Sequence, residues 1–296
     1  MRIKVPATTA NMGPGFDSIG MALSIYNEVE IKVGTENDTP LVIIGAEGVP
    51  TGKDNLIYQT IMDFHKQAGV PVPPLTLTQQ DNIPMTRGLG SSAACVVAGL
   101  LAGNALAKTG LSRRELINMA AEIEGHPDNT TPALAGGMVI GAMDGTALEY
   151  ISIPSHSWEK LRFALMIPDF ELSTEHARTV LPTHYSRQDV IHNASRTALL
   201  VAAFFSGDFE KLAIALDDRI HQPYRLPLVP GMDKIFEYGR EFGAYNVFLS
   251  GAGPTLIAIT QDEGFLPKMS DFLRSLPNHW DIKWVEPDHE GAVLFY

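Results

Sequence analysis

The stretch Ile83-Pro-Met-Thr-Arg-Gly-Leu-Gly-Ser-Ser-Ala-Ala-Cys-Val-Val97 decides how this chain is read. A short polar run ends at Pro84, Gly88 and Gly90 bracket Leu89, and Ser91 and Ser92 lead into the small apolar run AACVVAGLLAGNAL. That is the layout of a loop feeding a helix N-terminus. Glycine lets backbone approach a ligand closely, and the first N–H groups of a helix have no internal partner. With the positive end of the helix dipole they favour an anion, most naturally a phosphate. The Ser91 and Ser92 hydroxyls stand where a phosphate-bound Mg²⁺ would sit. Taken alone, the stretch fits equally well an ordinary Gly-Ser helix start with Ser91 as N-cap, because a glycine-rich loop is a weak signal. The Gly-x-x-x-x-Gly-Lys-Ser/Thr pattern is absent. A Walker-type site is excluded.

Composition points to a cytoplasmic metabolic enzyme. At 296 residues and 45% hydrophobic, the chain can bury a sizeable core, in two domains. Its net charge of −12, from 22 basic and 34 acidic residues, includes no run of lysines or arginines. Nucleic-acid binding is not expected, since it needs a basic footprint. Apolar runs break well short of the ~20 residues of a membrane span, and MRIKVPATTA lacks the apolar core of a signal peptide. The single Cys95 excludes an intramolecular disulfide and, by itself, a thiolate metal cage. Lying among Ala and Val, it reads as a small core residue rather than a nucleophile.

Periodicity predicts strands at 3–7 and 23–33 and a helix over 55–68, with Ile57, Ile61 and Phe64 at helical spacing. A short strand at 75–78 leads into the glycine loop. The loop helix is expected to run to Lys108 and stop at Gly110 as its C′ glycine. A second helix begins at Ser112, with Glu115 completing a capping box. The pattern breaks into Ser, Pro and His around 150–158, where a domain junction is expected. Beyond it come a strand at 161–167, a helix at 186–205 with Asp189 in its first turn, and a helix at 231–241. A strand at 245–250, a turn at 251–254 and a strand at 255–260 follow. Strands and helices mix without a regular βαβ repeat, which predicts an α+β fold.

The second helix ends in Ala121-Glu-Ile-Glu-Gly-His-Pro-Asp-Asn-Thr130, where Gly-x-Pro terminates it and leaves His126, Asp128 and Asn129 on a constrained loop. Glu122 and Glu124 fall on the last turn, where the helix dipole disfavours acids. Either a nearby cation such as Mg²⁺ holds one of them, or the helix end is simply solvated.

Two more blocks accompany the loop: Val5-Pro-Ala-Thr-Thr-Ala-Asn-Met-Gly-Pro-Gly-Phe-Asp17 and Phe248-Leu-Ser-Gly-Ala-Gly-Pro-Thr255. In this order and at these positions, the three resemble the GHMP kinases (galactokinase, homoserine kinase, mevalonate kinase, phosphomevalonate kinase) over nearly the whole chain. The resemblance implies an N-terminal ribosomal-protein-S5-like domain over 1–152 and a C-terminal ferredoxin-like domain over 153–296. It implies ATP on Pro84, Met85, Thr86, Arg87, Gly88, Leu89, Gly90, Ser91, Ser92, Ala93 and Ala94. Mg²⁺ would be held by Ser92 with Glu122, Glu124 being the rival.

Within the family, Glu124-Gly-His-Pro-Asp-Asn129, Pro132-Ala-Leu-Ala-Gly-Gly137, Ser173-Thr-Glu-His-Ala-Arg178 and Asp218-Arg-Ile-His-Gln-Pro-Tyr-Arg225 resemble the homoserine kinase branch. Mevalonate kinases and galactokinases usually carry a cation in the first motif, where this chain has Thr8-Thr9-Ala10-Asn11. The implied substrate is L-homoserine, phosphorylated on its side-chain hydroxyl in threonine biosynthesis. Its carboxylate suits the forked guanidinium groups of Arg178 and Arg225, and its ammonium suits Asp17. Asn11 and Thr174 can add neutral hydrogen bonds, and His126 either touches substrate or holds the loop. Asp128 is the one carboxylate of the central loop able to take the alcohol proton. Asn129 is preferred as the residue that positions the hydroxyl while the phosphate takes the proton. Ser250 and Thr255 flank a turn that shapes the site. The family suggests a homodimer. Two rivals remain, a GHMP kinase for another small alcohol and a ligand-binding regulator without catalysis.

Overall fold

Ile3, Val5 and Ala7 of β1 (Arg2–Ala10) and Val29 and Ile31 of β2 (Ile19–Val33) enter one core, and the two strands pair antiparallel. A computed structural model describes residues 1–46 and 48–296. In the turn between these strands Asn11, Met12 and Asp17 take positive φ (68°, 44° and 53°). Such left-handed non-glycine residues are uncommon and cluster at functional sites.

The short β3 (Leu41–Ile44) is followed by α1 (Leu56–Ala68) and β4 (Leu75–Gln80). Asn55 caps α1 by accepting from the Tyr58 N–H, and Gly69 ends it at φ 70°. β4 runs through the glycine loop into α2 (Ser91–Ala107). This helix is apolar nearly all round, as a buried helix must be. Gly99 and Gly103 let α1 approach: a Cβ there would lie 2.5 Å from Thr60 and 2.7 Å from Phe64. The expected stop at Gly110 comes early, because Lys108 itself caps the helix at φ 54°. Asn104 allows this, bonding Thr109 Oγ1 (2.6 Å) and the Leu111 N–H (3.0 Å) with its side chain. α3 (Arg113–Glu124) opens on the Ser112–Glu115 capping box and closes at Gly125, φ 78°. α4 (Thr130–Ala135), β5 (Met138–Asp144) and β6 (Ala147–Ile153) follow.

The next segment is β7 (Arg162–Pro168), α5 (Thr174–Thr179), α6 (Arg187–Ser206), α7 (Leu212–Ala215), α8 (Gln222–Arg225) and α9 (Met232–Glu241). β8 (Ala244–Leu249), β9 (Leu256–Thr260), α10 (Phe265–Leu273), β10 (Trp280–Val285) and β11 (Val293–Phe295) complete the chain. The second sheet runs β10-β7-β9-β8, all antiparallel, in the β-α-β-β-α-β pattern of ferredoxin-like folds. Both its faces are covered. Phe163, Leu165, Ile257 and Ile259 pack into the core shared with the first half, while Ala164, Met166, Leu256 and Ala258 face α9 and α10. The α+β class expected from the sequence is what the chain adopts.

The first sheet runs β11-β1-β2-β4-β3, with β5 on β2 and β6 on β5. β11 therefore returns from the far end of the chain to pair with β1, Leu294 opposite Ile3.

Candidate active site

Three segments far apart in sequence meet in a cleft of about 170 Å³: the glycine loop, the β1–β2 turn and the α3–α4 loop. α5, α8 and the turn after β8 close its other side.

One pole is built for an anion. Gly90, at φ 69°, is the N-cap of α2, so Ser91 is not. Among the described residues no side chain caps the helix, and its first turn holds no acid, leaving its leading N–H groups to the cleft. The loop is clamped from both halves. Leu89 O accepts from the Thr8 N–H (3.0 Å), Gly88 O from Ser250 Oγ (2.6 Å) and Thr86 O from the Leu172 N–H (3.1 Å). Arg87 lines the cleft, but its guanidinium donates to Pro168 O and Asp169 O, each at 3.1 Å, so it fastens the loop. Of the loop residues expected to hold nucleotide, Met85 and Ala94 do not line the cleft. Met85 is exposed and Ala94 is buried beneath it.

The other pole carries both signs of charge. Arg178, in the last turn of α5, donates to both Asp17 oxygens (2.8 and 3.2 Å). Burial opposes the Arg178 charge, yet the Asp17 hydrogen bond and charge hold its pKa above the ordinary value. Arg225 is 1% exposed and donates through Nε to Ala177 O and through Nη1 to Gly251 O, both at 3.1 Å. Burial first, then the neighbouring Arg178, lower its pKa to about 10. Thr174 lines the cleft at the start of α5. Asn11 is already engaged at both ends. Its Oδ1 accepts from the Asp17 N–H (3.0 Å) and its Nδ2 donates to Gly251 O (2.9 Å), so it holds the turn that presents Asp17.

Between the poles, His126 Nδ1 lies 2.7 Å from Asp128 Oδ1, with Asp128 2% exposed. Burial opposes the imidazolium, but Asp128 and the charge of Asp17 outweigh it and raise the His126 pKa. The Asp17, His126 and Asp128 ligand atoms lie within 4.8 Å of one another. Arg178 already holds Asp17, so this trio is a charge network. Asn129 Oδ1 accepts from Thr8 Oγ1 (2.7 Å), which leaves its Nδ2 donor for the cleft.

The two glutamates separate. Glu124 lines the cleft and its carboxylate accepts from Ser92 Oγ at 3.4 Å, whereas Glu122 is exposed on α3 outside it. Burial raises the Glu124 pKa against the opposing pull of His126 and Ser92. A partly buried carboxylate beside a hydroxyl is a set of hard oxygen donors that fits Mg²⁺. Cys95, a turn further along α2, has its thiol pushed up to about 12, chiefly by burial.

Sequence reading missed Thr8 and Phe16. Thr8 sits among the residues of the first block, but strand alternation alone does not tell that its hydroxyl meets Asn129. Phe16 lies under both arginines, its ring centroid 5.6 Å from Arg178 Cζ and 5.5 Å from Arg225 Cζ. An aromatic next to the expected Asp17 was its only signal. A wider cleft, about 820 Å³, opens beside Trp158 and Trp284, but its acids Glu159, Glu263 and Glu286 are exposed.

Comparison with known proteins agrees with this geometry. Residues 55–137 match the GHMP kinases N terminal domain and residues 200–278 the GHMP kinases C terminal domain. The chain is 43% identical to the homoserine kinase of Clostridium acetobutylicum, over 99% of each chain. It is 46% identical to that of Synechocystis sp., over 99% of this chain and 97% of the other. A solved Listeria monocytogenes structure assigned as a homoserine kinase superposes with a TM-score of 0.81 at 32% identity, covering 100% of this chain and 99% of that one. With such identity carried from end to end, the chain belongs to the GHMP kinase family, among its homoserine kinases.

Proposed function

We propose that the protein transfers the γ-phosphoryl group of ATP to the side-chain hydroxyl of L-homoserine, giving O-phospho-L-homoserine in threonine biosynthesis. The observation that carries this reading is the meeting of Arg178, Arg225 and Asp17 in one cleft with the uncapped N-terminus of α2. A zwitterion with a primary alcohol matches that set of charges. Its carboxylate takes the guanidinium groups and its ammonium takes Asp17. The ATP phosphates lie on the backbone N–H groups of the glycine loop and of α2.

Phosphoryl transfer asks the protein mainly for position and charge. In this reading the substrate oxygen accepts from Asn129 Nδ2, whose partner Oδ1 is pinned by Thr8. The hydroxyl proton passes to the transferred phosphoryl group, while Asp128, already bonded to His126, keeps the charge network in place. Mg²⁺ would be held by Ser92 and Glu124, and there it would supply positive charge to offset that of the ATP phosphates. A cytoplasmic homodimer belongs to the same reading. No helix among the described residues is long and apolar enough to cross a membrane.

The test is ADP release with a panel of alcohols. Homoserine should stimulate release well above mevalonate, galactose and shikimate; a rate no faster with homoserine than with these would overturn the assignment.

A further inference from the structure

Beneath the arginine pole lies a polar assembly that the transfer reaction does not itself use. His221 is 0% exposed, and its Nε2 lies 2.7 Å from the carbonyl oxygen of Gly13. A carbonyl can only accept, so Nε2 carries the proton. In the neutral ring Nδ1 is then an acceptor, and it sits 3.2 Å from Arg225 Nη1, which can only donate. Two neighbours thus fix one tautomer. Burial and the Arg225 charge hold the His221 pKa below its ordinary value. Asp218, whose Oδ2 is 3.6 Å from Nε2, is occupied by Asn193 Nδ2 and by the backbone N–H groups of Ile220, His221 and Gln222.

The ring is also stacked. Phe16 lies on it with centroids 5.2 Å apart and planes at 29°, and the same Phe16 supports both guanidinium groups. Gly13 and Phe16 belong to the turn that presents Asp17. One imidazole therefore joins the base of the carboxylate-binding arginine to the turn bearing the ammonium-binding aspartate.

We propose that His221 is a positioning residue: held in one tautomer by donating to Gly13 O, it accepts from Arg225 Nη1 and so fixes the orientation of the carboxylate-binding guanidinium. The inference rests on the reading of this cleft as an amino-acid alcohol site. Arg225 Nε and Nη1 are consumed by protein acceptors, and Nη2 takes no hydrogen bond among the described residues. His221 thereby leaves one defined N–H edge of Arg225 for a carboxylate.

Two substitutions separate this role from mere packing. The Asn amide reaches the position of Nδ1 and the Gln amide that of Nε2. His221→Asn can therefore keep the acceptor for Arg225, and His221→Gln only the donor to Gly13. His221→Gln should raise the KM for homoserine roughly five- to tenfold, the size of one net hydrogen bond. kcat and the KM for ATP should stay near wild type, and His221→Asn should recover most of the loss. As competitive inhibitors, 4-hydroxybutyrate (carboxylate, no ammonium) should weaken in His221→Gln by the same factor. 3-Amino-1-propanol (ammonium, no carboxylate) should not. These ratios do not depend on the fraction of protein folded. Equal effects of Asn and Gln, or equal shifts for the two inhibitors, would overturn the proposal. Wild-type protein that failed to phosphorylate homoserine would instead overturn the functional reading on which it rests.

Discussion

Asp17 and Arg178 hold each other at 2.8 and 3.2 Å across the cleft. A zwitterion reaching them exchanges one ion pair for two, carboxylate for Arg178 and ammonium for Asp17. Arg178→Ala should therefore act on the amino acid and not on the nucleotide. Losing a hydrogen bond to a charged group costs about 1.5–3 kcal/mol, so the KM for homoserine should rise roughly 10- to 100-fold. Lysine should rescue only part of this, because it lacks the planar fork. Steady-state kinetics with each substrate varied in turn would check both, and a loss falling on ATP would count against the assignment. Gly90 carries a second expectation. At φ 69° it is in the left-handed region, and a Cβ would run into Thr8 Oγ1 and come within 3.2 Å of Asn129 Oδ1. Gly90→Val should therefore disturb the Thr8–Asn129 pair as well as the phosphate loop. A folded variant with wild-type nucleotide affinity, measured by calorimetry, would refute it.

At the scale of elements, the last turn of α3 makes the sharpest distinction. Residues two apart on a helix point about 200° apart, so only one of Glu122 and Glu124 can face α2. Glu124→Gln should cut kcat and raise the Mg²⁺ concentration needed for half-maximal rate, whereas Glu122→Gln should behave as wild type. Equal effects in a Mg²⁺ titration would remove Glu124 from the metal site. This is also where sequence reading reached its limit. The Ser112–Glu115 capping box and the Gly125 stop are local chemistry, and the helix they bound is found as expected. Which face of that helix meets the glycine loop depends on how it docks, and nothing within the segment encodes it. The same holds for β10 and β11, whose pairing partners lie far away in sequence. The arginines and Asp17 were legible as residue types suited to a zwitterion. That Arg178 and Asp17 meet each other was not, because one lies on a short helix and the other in a turn 161 residues earlier. Lys108 is the plainest local miss, a left-handed lysine made possible by the bonding of Asn104.

Across the whole molecule the two sheets share one core. Trp158 contacts Phe163 at 6.2 Å and Phe204 at 6.0 Å between centroids, and this layer is continuous with Ile3, Val5 and Leu23 of the first sheet. Heat should therefore unfold the protein in a single calorimetric transition; two resolved peaks would show halves that melt independently. The return of β11 to β1 has a mechanical consequence. The backbone crosses between the sheets twice, once before β7 and once after β10, where Pro287 bridges Leu23. Two such ties leave the halves fewer relative orientations than a single linker would, because closing a second connection removes conformational freedom. The arginines of one half and the glycine loop of the other thus ride on one doubly tethered frame.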